Sequence, residues 1–513
     1  MELESHHASI PAAGPPRHRH VAVTLPNADD PVARLQGLVD RGSLHLNGPT
    51  GVGARSGTAS VRGTTASVFA CDPRIGGGAL SEEACEVIVR AVDNGVLLKA
   101  PIVGLWHSGG AKLQEGTASL HGVGRVFRAM VHASGRVPQI SVVLGAAAGG
   151  AAYGPALGDF VVTGPNARIF VTGPDLVRRA TGESVDRATY GHPQGHSKSG
   201  LVHVAATSDD EAVATARDLV ALTARDAGAP TAVPPDGELA SLVPGEARVP
   251  YDMHLIIERL LDRDSTSVEI HRSWAPNVLT ILGRLGGSAV GVIANNPMVL
   301  CGCLNGAASE KAAQFVRTCG SLGVPLLVLV DVPGYLPGLE EEENGIVQRG
   351  AKLLRAFAEA TVPRVTVILR KAYGGAFIAM NSRSLGATAV YAWPIAEVGI
   401  MYAANAVAVL HKRDLASASE GQRATLLRDL ATEYSSDSGG LSLAVKRGVI
   451  DAIIDPSITP RMVRAALTCT AGQVPGQVER RATFGLLPEP SRHCADDSPR
   501  RSEAPETARR ATE

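Results

Sequence analysis

The chain has 513 residues, 45% of them hydrophobic, with 49 Lys+Arg against 50 Asp+Glu and a net charge of −1. That length allows two full hydrophobic cores. The charge balance excludes a nucleic-acid or anionic membrane surface as the main partner, since both need a concentrated basic field.

In chain order, residues 1–28 are rich in His, Pro and Ala (His6, His7, His18, His20), show no periodicity and read as a solvated tail, with metal binding as the alternative. No apolar signal core opens the chain. The seven cysteines (Cys71, Cys85, Cys301, Cys303, Cys319, Cys469, Cys494) form no CxxC pair, which argues against a zinc ribbon and points to reduced thiols in the cytoplasm. A helix is predicted from Ser81, whose hydroxyl caps it ahead of Glu82 and Glu83, to a stop at Asn94-Gly95. Strands follow from Ala100 and Val137, each ending in a glycine turn that opens a helix. Thr231-Ala-Val-Pro-Pro-Asp-Gly237 begins a polar linker running to about Asp264, the best domain boundary. Beyond it, Cys301 and Cys303 are expected on one buried face of a strand. Further strands start near Val324 and Val362, and Glu340–Glu343 reads as a solvated loop. Apolar runs such as Val324–Val330 and Val365–Leu369 are strand-length, so no transmembrane helix is expected. The expected division is a tail at 1–28, an N-terminal domain at 29–262, a C-terminal domain at 263–485 and a tail at 486–513.

The two units repeat one another. Val137-Pro-Gln-Ile-Ser-Val-Val-Leu-Gly-Ala-Ala-Ala-Gly-Gly-Ala151 aligns without gaps on Val362-Pro-Arg-Val-Thr-Val-Ile-Leu-Arg-Lys-Ala-Tyr-Gly-Gly-Ala376, an offset of 225. Upstream, the strand at Pro101 matches that at Pro325, an offset of 224. Two matches in one order at one spacing indicate a duplicated α/β unit. The strands are apolar on both faces, as in a parallel sheet covered by helices.

A strand that ends in Gly-Gly and opens a helix presents consecutive backbone N–H groups where orphan donors and the helix dipole both favour negative charge. Donors fixed in advance stabilise a developing oxyanion, and losing one costs about 3–4 kcal/mol. Tight packing of helix on strand also selects glycine. Repetition at equivalent positions, Gly149-Gly150 and Gly374-Gly375, favours the charge-binding reading. There is no P-loop, dinucleotide fingerprint, GxSxG elbow or HExxH to suggest another chemistry.

At these residues the sequence resembles the carboxyltransferase β subunits of biotin-dependent acyl-CoA carboxylases, the propionyl-CoA/acetyl-CoA carboxylase type. The matching segments are Ser108–Gly116, Gly149–Leu157, Phe170–Val177, Ala308–Ala313, Leu329–Gly338, Ile368–Ala376 and Ala392–Pro394. The resemblance implies a tandem crotonase (ClpP-like) fold, a β-β-α superhelix in two homologous α/β domains. It implies a hexamer built as a trimer of dimers, with acyl-CoA on the N-domain and carboxybiotin on the C-domain of a neighbouring subunit. By resemblance, Gly149 and Gly150 hold the thioester enolate, while Gly375 and Ala376 hold the biotin ureido oxygen. Gly109, Gly110, Ala111, Lys112, Tyr153 and Ile378 line the acyl-CoA site. Pro333, Gly334, Gly374 and Phe377 line the biotin site. Carboxybiotin would release CO₂, its ureido nitrogen would take the α-proton, and the enolate would capture the CO₂. No metal is implied. The chain has no Met-Lys-Met carrier motif, so biotin is expected on a separate biotin carboxylase/biotin carboxyl carrier α subunit.

Lys112 stands where the family has Arg, as a phosphate contact or a solvated surface lysine. Ile378, where propionyl-specific members carry Asp, favours acetyl-CoA with propionyl-CoA accepted, giving malonyl-CoA or methylmalonyl-CoA; it could also merely pack. His107 replaces Asp, Ala146 and Ala147 replace Pro-Cys, and Tyr402, Ala404 and Asn405 depart from Gly-Ala-Glu-Gly. These departures keep two alternatives open: a biotin-dependent malonyl/methylmalonyl-CoA decarboxylase or transcarboxylase, and a non-catalytic scaffold in a carboxylase complex.

Overall fold

The computed structural model describes residues 29–186, 188–224, 231–263, 265–437 and 440–469. The expected tails, with the four N-terminal histidines and Cys494, lie outside them.

The first half forms a sheet of eight strands: β1 (His45–Asn47), β2 (Ala54–Val61), β3 (Thr64–Cys71), β4 (Ile102–Ser108), β5 (Gln139–Ala148), β6 (Phe160–Thr163), β7 (Arg168–Phe170) and β8 (Val204–Ala205). Their order is β1-β2-β3-β4-β5-β6-β8, with β7 pairing the far end of β5. The second half repeats it with β9 (Val268–Glu269), β10 (Val278–Leu285), β11 (Ser288–Asn295), β12 (Leu326–Val332), β13 (Arg364–Tyr373), β14 (Ala389–Ala392), β15 (Glu397–Gly399) and β16 (Ala452–Ile453). The order is β16-β14-β13-β12-β11-β10-β9, with β15 on β13. The fold is thus α/β with two homologous sheets, as expected.

Each sheet opens on an antiparallel hairpin and continues in parallel. The hairpins turn at Arg62-Gly63 and Gly286-Gly287, all four at positive φ, the backbone that matches strand twist across a two-residue loop. The parallel strands β4, β5, β12 and β13 are buried along nearly their whole length, because helices cover both faces.

The helix after β3 runs Glu82–Leu98, and the Ser81 hydroxyl accepts from the Ala84 N–H at 3.0 Å, as predicted. Its end corrects the sequence reading. Asn94-Gly95 does not stop it; Lys99 does, in the left-handed region. Gly95 is there for close approach: a Cβ on it would fall 2.3 Å from Ile102 Cγ1. The second-half counterpart is Gly306–Leu322, capped by Asn305 and ended at Gly323.

Cys301 and Cys303 are also corrected. They lie on no strand. Leu300–Gly302 is a 3₁₀ turn with Cys301 at φ 53 and exposed, and Cys303 half-buried. It copies the first-half turn Gly76–Gly78, where glycine takes the same positive φ without strain.

The halves share a core. One apolar cluster runs from Leu35 and Val142 in the first half to Val328 and Ile368 in the second. Polar contacts join them too. The His271 N–H donates to the His203 carbonyl at 2.8 Å, and the two rings stack at 4.2 Å. The segment after the Pro-rich break lies on the second sheet, where Leu239, Val243, Met253 and Ile256 pack with Leu279, Ile281 and Leu327.

Candidate functional site

β5 is Ile140–Leu144 in its buried middle and cannot continue past Ala148, because Gly149 takes φ 56. Helix Gly150–Leu157 begins at once. Only glycine enters that backbone without cost, and this is what turns a strand into a helix here with no connecting loop. Gly150 is constrained differently: a Cβ on it would meet Val123 Cγ1 at 2.8 Å, so close helix packing also selects it.

The donors of this turn can be counted. The Gly149 N–H donates to the Phe170 carbonyl at 3.0 Å, extending the β5–β7 ladder. The Ala152 N–H returns to the Gly149 carbonyl at 3.1 Å. Among the described residues, the first-turn amides left without a backbone acceptor are those of Gly150 and Ala151. Of the two amides expected as donors, that of Gly149 is taken up by β7 and that of Gly150 is left open.

The loop Ser108–Lys112 comes to this turn. A Cβ on Gly110, at φ 96, would fall 2.7 Å from the Ala148 carbonyl oxygen. The loop is held from behind: the Gly109 N–H donates to the Gly77 carbonyl, the Leu80 N–H to the Gly110 carbonyl, and the Lys112 N–H to the Leu80 carbonyl and Ser119 Oγ. Gly109, Gly110, Ala111 and Lys112 thus form one braced edge beside Gly149-Gly150. The Lys112 ammonium pairs with Glu115 at 2.9 Å. Tyr153 stands on the helix of the turn, half-exposed, its ring edge-on to Phe127.

The second turn copies the first. β13 ends at Tyr373, Gly374 takes φ 60, and helix Gly374–Ala379 follows. A Cβ on Gly374 would come 3.1 Å from the Ile400 carbonyl oxygen, whereas around Gly375 the space within 4 Å is open. Ala376 is fully buried. Val332 pairs with Ala372, so Pro333 and Gly334 leave β12 beside the turn. The Gly334 carbonyl accepts from the Leu304 N–H at 3.0 Å, as Gly110 does from Leu80.

Two further expected residues lie on the helix of the second turn. The Phe377 side chain is only 8% exposed and packs into the core, so it offers little surface to a ligand. Ile378, next to it, is 45% exposed.

Beneath each turn lies a residue in a register shift between parallel strands: His107 in β4 and Asp331 in β12. Asp331 is fully buried. It pairs with Arg370 at 3.1 Å and accepts from the Lys371 N–H at 3.1 Å. Arg370 in turn donates to the Glu246 and Val249 carbonyls and lies over the Tyr251 ring, tying the segment before β9 to the second sheet. Sequence reasoning passed over this cluster, although a lone Asp in the apolar run Leu329–Val332 signals a buried partner. It also passed over Tyr373, whose hydroxyl donates to the Glu397 carboxylate. Burial, then that carboxylate, raise the phenol pKa.

Against known proteins, the carboxyl transferase domain family matches residues 45–475. The chain is 49% identical over 463 residues to the biotin-dependent acetyl-/propionyl-coenzyme A carboxylase beta6 subunit of Mycobacterium bovis, covering 89% of this chain and 97% of that protein. It is 51% identical over 421 residues to the propionyl-CoA carboxylase beta chain of Rhodococcus erythropolis, covering 80% and 88%. Among solved structures it is similar to the transcarboxylase 12S hexamer with methylmalonyl-coenzyme A bound. There the TM-score is 0.83 and the identity 36%, with 88% of this chain and 91% of that one covered.

Proposed function

We infer the reaction from one premise: this chain belongs to the carboxyl transferase domain family. The reading is a carboxyltransferase β subunit that moves a carboxyl group from carboxybiotin to the α-carbon of a short-chain acyl-CoA. The observation that carries it is the pair of strand-to-helix turns, each with its glycine at positive φ and its first-turn amides at a helix N-terminus.

In this reading the amides of Gly150 and Ala151 hold the thioester oxygen as it gains charge, with Gly149 making the room. Those of Gly375 and Ala376 hold the ureido oxygen of biotin. Open space at Gly375 and an acceptor-free helix start fit such an oxygen. Carboxybiotin, when bound, supplies the CO₂ and a basic nitrogen. The chain's part is to fix both oxygens in advance, which is where such donors act most strongly. Gly109, Gly110, Ala111 and Lys112 face the CoA, and Lys112 exchanges Glu115 for a phosphate oxygen. Pro333 and Gly334 border the biotin side, where Gly374 shapes the turn and Phe377 supports it from the core. Ile378 sets the acyl preference: acetyl-CoA, with propionyl-CoA accepted.

The same reading gives two functional units, expected at 29–262 and 263–485 with the stretch from Leu239 to Leu261 packed on the second sheet, a hexamer built as a trimer of dimers, a cytoplasmic setting, and biotin carried on a separate carboxylase/carrier α subunit. The full chain with such a subunit, ATP and labelled bicarbonate should carboxylate at least one of acetyl-, propionyl- and butyryl-CoA. No labelled product from any of the three would sink the reading. The similarity to transcarboxylase 12S favours a second direction, from malonyl- or methylmalonyl-CoA to biotin. CO₂ loss from malonyl-CoA with free biotin and no ATP would reveal it.

A further inference from the structure

Beneath the first turn the buried Arg34 meets the half-buried His107, a pair that the proposed reaction leaves unused. The His107 ring lies flat over Gly145, where an added Cβ would fall 2.5 Å from Cδ2, Cε1 and Nε2. Arg34, in helix Pro31–Leu38, is 2% exposed and reaches His107 Nδ1 through Nη2 at 3.2 Å. A guanidinium only donates. Nδ1 must therefore offer its lone pair, which leaves the ring proton on Nε2 and the imidazole neutral.

The charged and titratable groups around this pair are few. Asp29 lies 3.5 Å from Arg34 and is largely exposed. Asp72, at the end of β3, is spent on Arg74 at 2.8 Å. Asp209, which opens helix Asp209–Thr223, acts on Arg34, and the Cys71 thiol of β3 faces the backbone N–H of His107. Burial first, then Arg34, hold His107 below the ordinary histidine range.

We propose that His107 is a positioning residue for the loop Ser108–Lys112, kept neutral by Arg34, so that protonating its ring loosens the loop and weakens acyl-CoA binding. A proton on Nδ1 sets donor against donor and cation against cation beside a buried guanidinium. The strain falls on the residue directly before Ser108, in the stretch whose Gly110 rests on Ala148. The second half has Asp331 and Arg370 at the matching place and no histidine. Its biotin side does not share the effect. This inference rests on the reading of that loop as the acyl-CoA edge.

The test uses the full chain with malonyl-CoA and free biotin, measuring both KM values from pH 7.5 to 5.5 for the wild type and His107→Gln. Glutamine offers Arg34 an oxygen that takes up no proton. The CoA 3′-phosphate itself titrates near pH ~6, so the difference between the two proteins decides. The wild-type KM for malonyl-CoA should rise more steeply with acid than that of His107→Gln, by up to a factor of about ten per pH unit. The KM for biotin should follow one course in both. If His107→Gln does not fold, His107→Asp takes its place, since a carboxylate titrates only near pH ~4. Superimposable malonyl-CoA profiles, or a biotin KM that rises in step, would overturn the proposal. If the wild type turns nothing over, the reading of function fails, and the same comparison by calorimetric titration with malonyl-CoA still decides this one.

Discussion

Beneath the second turn, Asp331 bridges Arg370 and the Lys371 amide; beneath the first, His107 lies against Arg34. Both residues fill the same irregularity, between Val330 and Val332 in one sheet and between Trp106 and Ser108 in the other. The partner has moved as well. Arg370 aligns with Gly145, so β5 has no side chain to reach into the bulge. The space it leaves is the place where the imidazole lies, and the cation comes from helix Pro31–Leu38 instead of from the neighbouring strand. A buried carboxylate must have a cation at hand, whereas a neutral imidazole needs one donor and a flat surface. Duplication held the strand path constant and left the charge beneath it to be settled separately in each half.

The comparison breaks most sharply at Asp331. Asp331→Ala leaves Arg370 buried without its carboxylate and should cost about 3–5 kcal/mol of stability in urea unfolding. His107→Ala removes no charge and should cost clearly less, and equal losses would mean the two bulges are not different in kind. Next comes the matching pair in the turns. Gly375→Ala places its methyl in open space, so unfolding should change by no more than ~0.5 kcal/mol, while carboxyl transfer falls on the order of a hundredfold. Gly150→Ala meets Val123 and should lose stability as well as activity. An active Gly375→Ala would show that no ligand oxygen needs the open space beside that glycine.

The join between the halves titrates. Burial pushes His203 down to about 4 and His271 well below its ordinary value. Both are neutral in the fold, so their contribution is complete above the unfolded value of about 6.5. It is lost as pH falls from there through about 4 for His203, because only the unfolded chain takes up protons. The unfolding free energy from urea titration should be flat from pH 8 to 7 and fall below pH 6, by up to about 1.4 kcal/mol per pH unit for each histidine. In His203→Gln the fall should be shallower. The smallest effect is expected at Ile378→Asp, where selectivity between acetyl- and propionyl-CoA should shift by about 1–3 kcal/mol, read as a ratio of kcat/KM values.

Much of this was legible in the sequence, because its signals are local. A proline at the strand entrance, a β-branched run and a glycine turn sit within fifteen residues of one another, twice, and they gave the parallel strands and both turns. What escaped was set by residues far away. Gly95 looks like a helix stop until β4 returns Ile102 against it. The Gly149 amide looks free until β7, twenty residues on, pairs with the end of β5. Cys301 is a partial exception: carrying the 224-residue offset upstream places it on Gly77 and so in a left-handed turn. The hairpin at Gly286-Gly287 carried its own signal, two glycines between apolar runs.

The contact between His203 and His271 bears on how such a chain can be inherited. Each half repeats the other's strands and has an apolar cluster of its own, yet a third cluster is shared between them. A gene cut between the halves would yield two polypeptides, one carrying an unused carbonyl at His203 and a bare imidazole face, the other carrying their complements. Such fragments are fitted to meet again as an obligate pair rather than to be shuffled singly into other proteins. The duplicated halves are two copies in descent and one module in inheritance.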